Sequence, residues 1–166
     1  MKRLILLMLT TITLATCFKV EAHAKEIIRI PQEVVKSCEK WGDEYGICPE
    51  LLEAMCWHET RCRSNLENGG CLGMTQINPK FHKETMELLG VTDLTDYDQN
   101  IHVCAYTIAE YAKQEEDLYC VLMMWNCGSN RGRELFYKDV FTSYAKEVSE
   151  ESRKLEEMHG KIGEDY

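Results

Sequence analysis

Apolar residues that recur every three or four positions are the feature that most constrains how this chain folds. Val34, Cys38, Trp41 and Tyr45 are separated by four, three and four residues, and Gly46 follows them. This spacing places the four side chains on one face of an amphipathic helix, and a glycine in that position is typical of a helix end. The pattern therefore predicts a mainly helical fold.

A second helix is predicted after Pro49, because proline is favoured at the first helical position. Leu52, Met55 and Glu59 share one face of this helix, again at spacings of three and four residues. Periodicity predicts further helices over residues 80–89, 101–111 and 117–125.

Residues 60–78 break the helical period and contain Asn68-Gly69-Gly70, so we expect a loop or a short β-like excursion there. From Ser149 onward the chain is charged and nearly free of large apolar residues. We therefore interpret 149–166 as a charged C-terminal tail or a solvated helix. No repeat or linker divides the remainder, and a single domain is expected.

The first 24 residues are typical of an export signal. Lys2 and Arg3 precede an apolar run over 4–14, and Ala22-His23-Ala24 gives a small-x-small cleavage pattern. The uncharged run is shorter than the roughly 20 residues that a membrane-spanning helix needs. We therefore expect export to the periplasm, cell envelope or exterior, with lipid attachment at Cys17 as an alternative and retention as an anchor as another.

Cysteine usage agrees with an oxidising compartment. Of nine cysteines, eight lie beyond the leader, and an even number in an exported chain predicts disulfides, at least three here. No Cys-x-x-Cys occurs and the histidines lack zinc spacing, so we expect no metal and no cofactor. The pairing stays open among these candidates: Cys38, Cys48, Cys56, Cys62, Cys71, Cys104, Cys120 and Cys127.

The charge balance argues against nucleic acid as a partner. The chain has 28 Asp and Glu against 19 Lys and Arg, a net charge of −9. Binding to phosphate backbones requires a basic face, which this composition does not offer.

Glu59 is the first candidate for chemistry. It lies on the apolar face of its helix and close to the C-terminal end. Burial and the negative end of the helix dipole both raise the pKa of a carboxyl, and a protonated carboxyl at neutral pH can act as a general acid. A glutamate at a helix end is more commonly a solvated surface residue, so the position alone does not establish the role.

Two further segments carry polar groups suited to a sugar. In the sequence Gly73-Met74-Thr75-Gln76-Ile77-Asn78-Pro79, glycine permits close backbone approach while the Gln and Asn amides offer donors and acceptors. In the sequence Trp125-Asn126-Cys127-Gly128, an indole face precedes an amide. The alternatives are an ordinary turn for the first segment and a core residue with a helix cap for the second.

The order and spacing of these segments resemble the soluble lytic transglycosylases, relatives of goose-type lysozyme. In that family a helix ends in Glu-Ser, similar to Glu59-Thr60 here, and a Gly-Leu-Met-Gln motif follows. Asn100-Ile101, the Trp125-Asn126-Cys127-Gly128 segment and Tyr144 also resemble family positions. The resemblance covers about residues 34–148 and implies a lysozyme-like α+β fold, with 25–148 as the catalytic domain.

The resemblance implies that Glu59 is a single general acid and base. It would cleave the β-1,4 bond between N-acetylmuramic acid and N-acetylglucosamine in peptidoglycan and form 1,6-anhydromuramic acid, as a substrate-assisted exception to two-carboxylate glycosidases. The residues that it implies for substrate binding are Thr60, Met74, Gln76, Ile77, Trp125, Asn126 and Tyr144. Trp125 stands where the family has tyrosine, and Thr75 stands in place of methionine.

Other functions stay open at this point. A lysozyme-like hydrolase would need a second acid, for which Glu67, Asp96 and Asp98 are available. A non-catalytic wall-binding protein on the same fold and an unrelated disulfide-rich interaction protein are two further hypotheses. The expected partner is the peptidoglycan glycan strand, with the protein acting as a monomer. Because negative charge does not attract an anionic wall, targeting would come from an envelope or secretion-system partner.

Overall fold

The computed structural model of the chain describes residues 27–160, so the leader with its cleavage pattern and Cys17, and the last residues 161–166, lie outside the described part. Within 27–160 the chain forms seven helices and one two-stranded hairpin. No helix in this part is long and apolar enough to cross a membrane. The elements are α1 (Gln32–Tyr45), α2 (Pro49–Thr60), β1 (Glu67–Asn68), β2 (Cys71–Leu72), α3 (Lys83–Leu89), α4 (Tyr97–Ala112), α5 (Leu118–Cys127), α6 (Ser129–Phe136) and α7 (Ser143–Met158).

Helix α2 is the centre of the molecule. Every residue from Glu50 to Trp57 is buried, and α1, α4 and α7 all pack against the helix. A helix surrounded on all sides loses the one-sided pattern of a surface helix, which explains why both its apolar and its acidic residues are enclosed. The predicted start at Pro49 is confirmed.

Helix α7 confirms the helix, rather than the tail, that was predicted as one alternative for the charged segment after Ser149, but the helix is not solvated on all sides. It continues to Met158 and packs along α2, burying Val148, Ser152 and Leu155, the last of which is 1% exposed. These residues are spaced by four and three, so a single narrow stripe suffices to dock a helix whose other faces are charged. At the far end, His159 Nδ1 lies 2.8 Å from Glu50 Oε1 and fastens the end of α7 to the start of α2.

Most of the other predicted elements are present. Helix α1 buries Val34 and Cys38 and ends at Gly46 in the left-handed region. The side chain of Asp117 caps α5, as predicted, by accepting hydrogen bonds from the backbone N–H groups of Tyr119 and Cys120. The predicted helix from residue 80 begins only at Lys83.

The irregular segment after α2 contains the expected β-like excursion. Strands β1 and β2 pair antiparallel around Gly69-Gly70, with Asn68 opposite Cys71. Leu72 also forms an isolated bridge with Ile77, which folds the following loop back onto the hairpin. The hairpin and this loop together form one wall of the cavity described below.

The eight cysteines of the described part are free, and none lies at bonding distance from another. The predicted disulfide reinforcement is therefore not present in the structure. Four of the cysteines, Cys38, Cys56, Cys62 and Cys104, are nevertheless close enough to influence one another, and the strongest mutual effect on pKa is between Cys38 and Cys56.

Candidate active site

Glu59 is the last residue but one of α2 and lies where the chain turns sharply out of the helix. Arg61 and Cys62, directly after the helix, both adopt positive φ angles of 56° and 61°. Non-glycine residues in the left-handed region are strained, and such strain is common beside functional groups. The turn ends α2 immediately after the carboxylate and leaves Glu59 at the edge of an open cavity.

The cavity has a volume of about 740 Å³, within the range of small-molecule and sugar sites. One wall comes from the hairpin and the loop after it, and the opposite wall from the end of α5 and the start of α6. The lining residues are Glu59, Asn68, Cys71, Gln76, Asn78, Phe81, His82, Tyr111, Trp125, Asn126, Cys127, Gly128 and Ser129. Three separated sequence segments that were singled out as candidates therefore meet in one place.

Burial raises the pKa of the Glu59 carboxyl above its usual value, which confirms the predicted direction. Polar contact with the Tyr144 hydroxyl, the neighbouring His58 charge and the Trp125 indole act in the opposite direction, but burial prevails. The carboxyl is therefore protonated over a wider pH range than a solvated glutamate, as a general acid requires.

Trp125 occupies the position where the resembled family has tyrosine, and it still presents a hydrogen-bond donor to the acid. Its indole lowers the pKa of Glu59 through a side-chain polar contact. An indole N–H donates but does not accept. The exchange of tyrosine for tryptophan thus keeps a donor beside Glu59 and removes an acceptor.

The loop 73–79 is held by one buried side chain, Asn100. Its amide donates to the backbone oxygens of Leu72 and Leu94 at 3.1 and 3.0 Å, and its carbonyl accepts from the Thr75 backbone N–H and hydroxyl, both at 2.8 Å. All four hydrogen-bonding positions of the side chain are used, so Asn100 fixes the loop to the start of α4. Thr75 is buried by this contact and does not line the cavity.

Gln76 faces the cavity in a constrained conformation. Its φ angle is 53°, and its amide Nε2 donates to the backbone oxygen of Gly73 at 2.8 Å. The side chain is thereby held against its own loop, and the opposite end of the amide is left for a ligand.

Four of the residues that the resemblance implied for substrate binding lie outside the cavity lining. Thr60, Met74, Ile77 and Tyr144 are between 1% and 7% exposed. The Thr60 hydroxyl donates to the backbone oxygen of Met74 at 2.8 Å, which ties the end of α2 to the loop. These residues support the walls, whereas Gln76, Trp125 and Asn126 line the cavity with Glu59.

Glu59 is the only carboxylate among the lining residues of the described chain. Asp96 caps α4 by accepting from the Gln99 backbone N–H at 2.9 Å. Asp98 accepts hydrogen bonds from the side chains of Ser37, Lys40 and Trp41 at 2.7 to 3.0 Å on a different face. Glu67 is exposed on the hairpin and does not line the cavity.

Sequence reasoning missed three aromatic lining residues. Phe81 is 78% exposed at the rim, and the His82 ring lies 5.8 Å from the Trp125 ring, centroid to centroid. Burial lowers the pKa of His82, which favours its neutral form. Tyr111 also lines the cavity, and the sequence predicted it only as part of the helix over residues 101–111. The position of Phe81 and His82 directly after the Gly73–Pro79 motif was the available signal, but neither belongs to a periodic stripe.

Comparison with known proteins agrees with the fold that the resemblance of the sequence motifs implied. Residues 36–147 match the family described as the Transglycosylase SLT domain. The fold is similar to the X-ray structure of an inactive glutamate-to-glutamine mutant of the lytic transglycosylase Slt from Pseudomonas aeruginosa, with a TM-score of 0.68 and 16% sequence identity. The match covers 77% of this chain and 24% of that one, so this chain spans about a quarter of the length of Slt. No curated protein sequence matches significantly.

Proposed function

The chain belongs to the Transglycosylase SLT domain family, whose members are typically lytic transglycosylases that act on peptidoglycan, and on this premise we propose that it cleaves glycan strands with Glu59 as its single acid and base. The bond cleaved is the β-1,4 link from N-acetylmuramic acid to N-acetylglucosamine. The product carries a 1,6-anhydromuramic acid end. One observation carries the proposal: a half-buried carboxyl with a raised pKa is the only carboxylate lining the cavity in the described residues.

The first step uses the protonated form of Glu59. The carboxyl donates its proton to the glycosidic oxygen, and the bond between that oxygen and C1 of the muramic acid breaks. The acetamido oxygen of the same sugar stabilises the positive charge that develops at C1. This substrate group replaces the second carboxylate of ordinary retaining glycosidases.

The second step uses the ionised form. The carboxylate takes the proton of the C6 hydroxyl while O6 bonds to C1, which closes the anhydro ring and restores protonated Glu59. The Trp125 indole N–H and the Tyr144 hydroxyl lie beside the carboxyl and stabilise the charge that it carries between the two steps. No water is consumed.

The walls of the cavity supply groups suited to a glycan. Trp125 offers a flat apolar face, and the amides of Gln76 and Asn126 offer donors and acceptors for sugar hydroxyls and acetamido groups. An aromatic lining with a few placed polar groups is typical of small-molecule sites, where the polar groups fix the orientation of the ligand.

The test is the chemistry of the product. Peptidoglycan is digested with the purified protein, the fragments are treated with borohydride, and their masses are measured. Anhydro ends are about 18 daltons lighter than hydrolysed ends, because no water is added, and they resist reduction. Fragments with mainly reducible ends would contradict transglycosylation and identify a hydrolase.

Glu59→Gln is expected to remain folded and release almost no fragments. Each proton-transfer role contributes roughly 10²- to 10⁴-fold to the rate, and this variant loses both. Glu67→Gln is the matched control, since it makes the same chemical change at an exposed carboxylate on the hairpin. Undiminished turnover in Glu59→Gln, or equal losses in both variants, would disprove the assignment.

Export is proposed on the leader sequence, which lies outside the described residues. In an oxidising compartment we propose that the cysteines pair, among them Cys38 with Cys56, which are close enough for each to shift the pKa of the other. The proposed partner is the peptidoglycan strand, with an envelope or secretion-system component for targeting. The protein is proposed to act as a monomer without a metal or cofactor.

A further inference from the structure

His58 is adjacent to the catalytic candidate in sequence but points to a different element. Its Nδ1 donates a hydrogen bond to Glu151 Oε2 on α7 at 3.1 Å. Its Nε2 lies 3.8 Å from Glu147 Oε2, one turn earlier on the same helix. The side chains of His58 and Glu151 are only 20% and 18% exposed, whereas that of Glu147 is 58% exposed. The pair with Glu151 is therefore the partly desolvated one.

The same imidazole packs against Tyr144. The two ring centroids are 5.0 Å apart and the ring planes are nearly perpendicular, at 84°. This edge-to-face arrangement is a favourable one for aromatic rings. Tyr144 is 7% exposed, and its hydroxyl is beside Glu59, although it forms no well-aligned hydrogen bond with any described residue. His58 therefore packs against the ring of Tyr144, whose hydroxyl is beside the Glu59 carboxyl.

We propose that His58 is a positioning residue for the reaction. Glu151 holds the His58 imidazole in place, and the imidazole fixes the Tyr144 ring beside the Glu59 carboxyl. The proposal rests on the proposed function of Glu59. It assigns Glu151 a role in the site although that residue is on α7, outside the cavity. His58 does not contact the substrate and acts through Tyr144 and through its charge.

The surrounding charges favour the imidazolium form. The hydrogen bond to Glu151 raises the pKa of His58, burial opposes it, and the charges of Glu151, Glu59 and Glu147 add to the increase. The groups that face Glu59 are His58, Tyr144 on α7 and Trp125 on α5, and its charge also reaches the buried Cys104 thiol on α4. The contact with the Tyr144 hydroxyl and the charge of His58 each lower the pKa of Glu59.

His58→Gln tests the proposal without relying on activity. The variant removes the charge and retains an amide that can donate to Glu151. The Glu59 carboxyl is titrated by NMR in protein labelled at glutamate side-chain carboxyl carbons, with Glu59→Gln identifying the signal. We expect the midpoint to rise by about half a unit or more, because the variant removes a unit charge that lowers the pKa of Glu59 in a partly shielded site. An unchanged midpoint would overturn the proposal, whether or not the protein degrades peptidoglycan.

Kinetics supply the second measurement. We expect His58→Gln and Glu151→Gln each to lower kcat about 3- to 10-fold with little change in KM. In His58→Gln, the alkaline limb of the pH–rate profile should also move to higher pH. The double variant should lose no more than the worse single variant, because both act through one contact. Glu147→Gln, which removes the same charge one turn away, should lose less than twofold.

A merely structural role predicts a different result. It would lower the thermal midpoint while leaving the pH profile and the NMR titration in place, and that outcome would reject positioning. Additive losses in the double variant, or equal losses in Glu147→Gln and Glu151→Gln, would also reject it. If His58→Gln fails to fold, Glu151→Gln with Glu147→Gln as its control still decides the kinetic comparison.

Discussion

Burial of the Glu59 carboxyl has a cost in stability that can be measured apart from catalysis. Its pKa is raised in the folded protein, so the folded state binds its proton more tightly than the unfolded state does. Stability from this group is complete below the unfolded pKa and is lost as pH rises through the folded pKa. At neutral and alkaline pH, the ionised carboxylate is therefore held in a site that disfavours its charge.

We accordingly expect Glu59→Gln to be more stable than the parent protein at pH 8 and close to it at pH 4, because glutamine carries no charge to desolvate. The measurement is the midpoint of thermal unfolding at both pH values. Exposed Glu67→Gln serves as the control and should show no such pH-dependent gain. Loss of stability in Glu59→Gln at pH 8 would mean that the carboxylate is stabilised in the fold, contrary to its raised pKa.

The sequence was sufficient to predict the direction of this pKa change but not its modulation. Glu59 falls on the apolar stripe with Leu52 and Met55, which was enough to expect burial. The contacts with Tyr144 and Trp125 depend on how α7 and α5 pack on α2, and no local pattern encodes that arrangement. The predicted roles of Met74 and Ile77 in substrate contact depend on the same packing, and both side chains are enclosed behind the cavity wall.

At the scale of elements, the loop 73–79 fits against α4 because residue 73 has no side chain. Gly73 has a φ angle of 75°, and a Cβ there would clash with the Leu94 backbone oxygen and the Asn100 amide. Gly46, at the end of α1, has a similar φ of 69° but nothing within 4 Å of a Cβ. The two glycines therefore share a left-handed backbone conformation that strains any other residue, and they differ only in close approach.

This pair gives a matched prediction. Gly46→Ala should cost about 1–2 kcal/mol of unfolding free energy through left-handed backbone strain. Gly73→Ala should cost roughly 1–3 kcal/mol more, because the added atom forces the loop away from Asn100. Urea unfolding measures both, and peptidoglycan digestion should be impaired only in Gly73→Ala. Equal unfolding free energies would show that the loop is not held by this close contact.

Elements that could be predicted from sequence are those with a strong apolar stripe, such as α1 and α4. Helix α6 was missed because Ser129–Phe136 is mostly polar. It packs against α5 through Gly132, where a Cβ would clash with the backbone of Met123. Burial of the second half of α7 was missed for a related reason. Most of its residues are charged, and Ser152 and Leu155 become buried only where the helix packs against α2.

At the scale of the whole molecule, the distribution of cysteines connects the fold to the compartment. Cys38 on α1, Cys56 on α2 and Cys104 on α4 come from three helices that meet in the core. Cys71 and Cys127 line opposite walls of the cavity, and Cys48 is exposed between α1 and α2. The even number of cysteines and the leader sequence predicted at least three disulfides, whereas the packing distinguishes a core group from surface thiols.

We expect oxidation to link Cys38 to Cys56 as the chain folds, because both side chains are enclosed in the finished core and are close enough for each to shift the pKa of the other. Oxidised glutathione, as the test oxidant, accepts the two electrons and two protons that the thiols lose. Mass spectrometry of the denatured, unreduced protein should show a loss of about two daltons per bridge, and peptide mapping should identify this pair. Because a native bridge contributes roughly 2–4 kcal/mol, the stability lost in Cys38→Ser relative to the parent protein should be greater under oxidising than under reducing conditions, whereas exposed Cys48→Ser should show no such difference. Complete alkylation of all eight cysteines before reduction would contradict the prediction and indicate that the core is stable through packing alone.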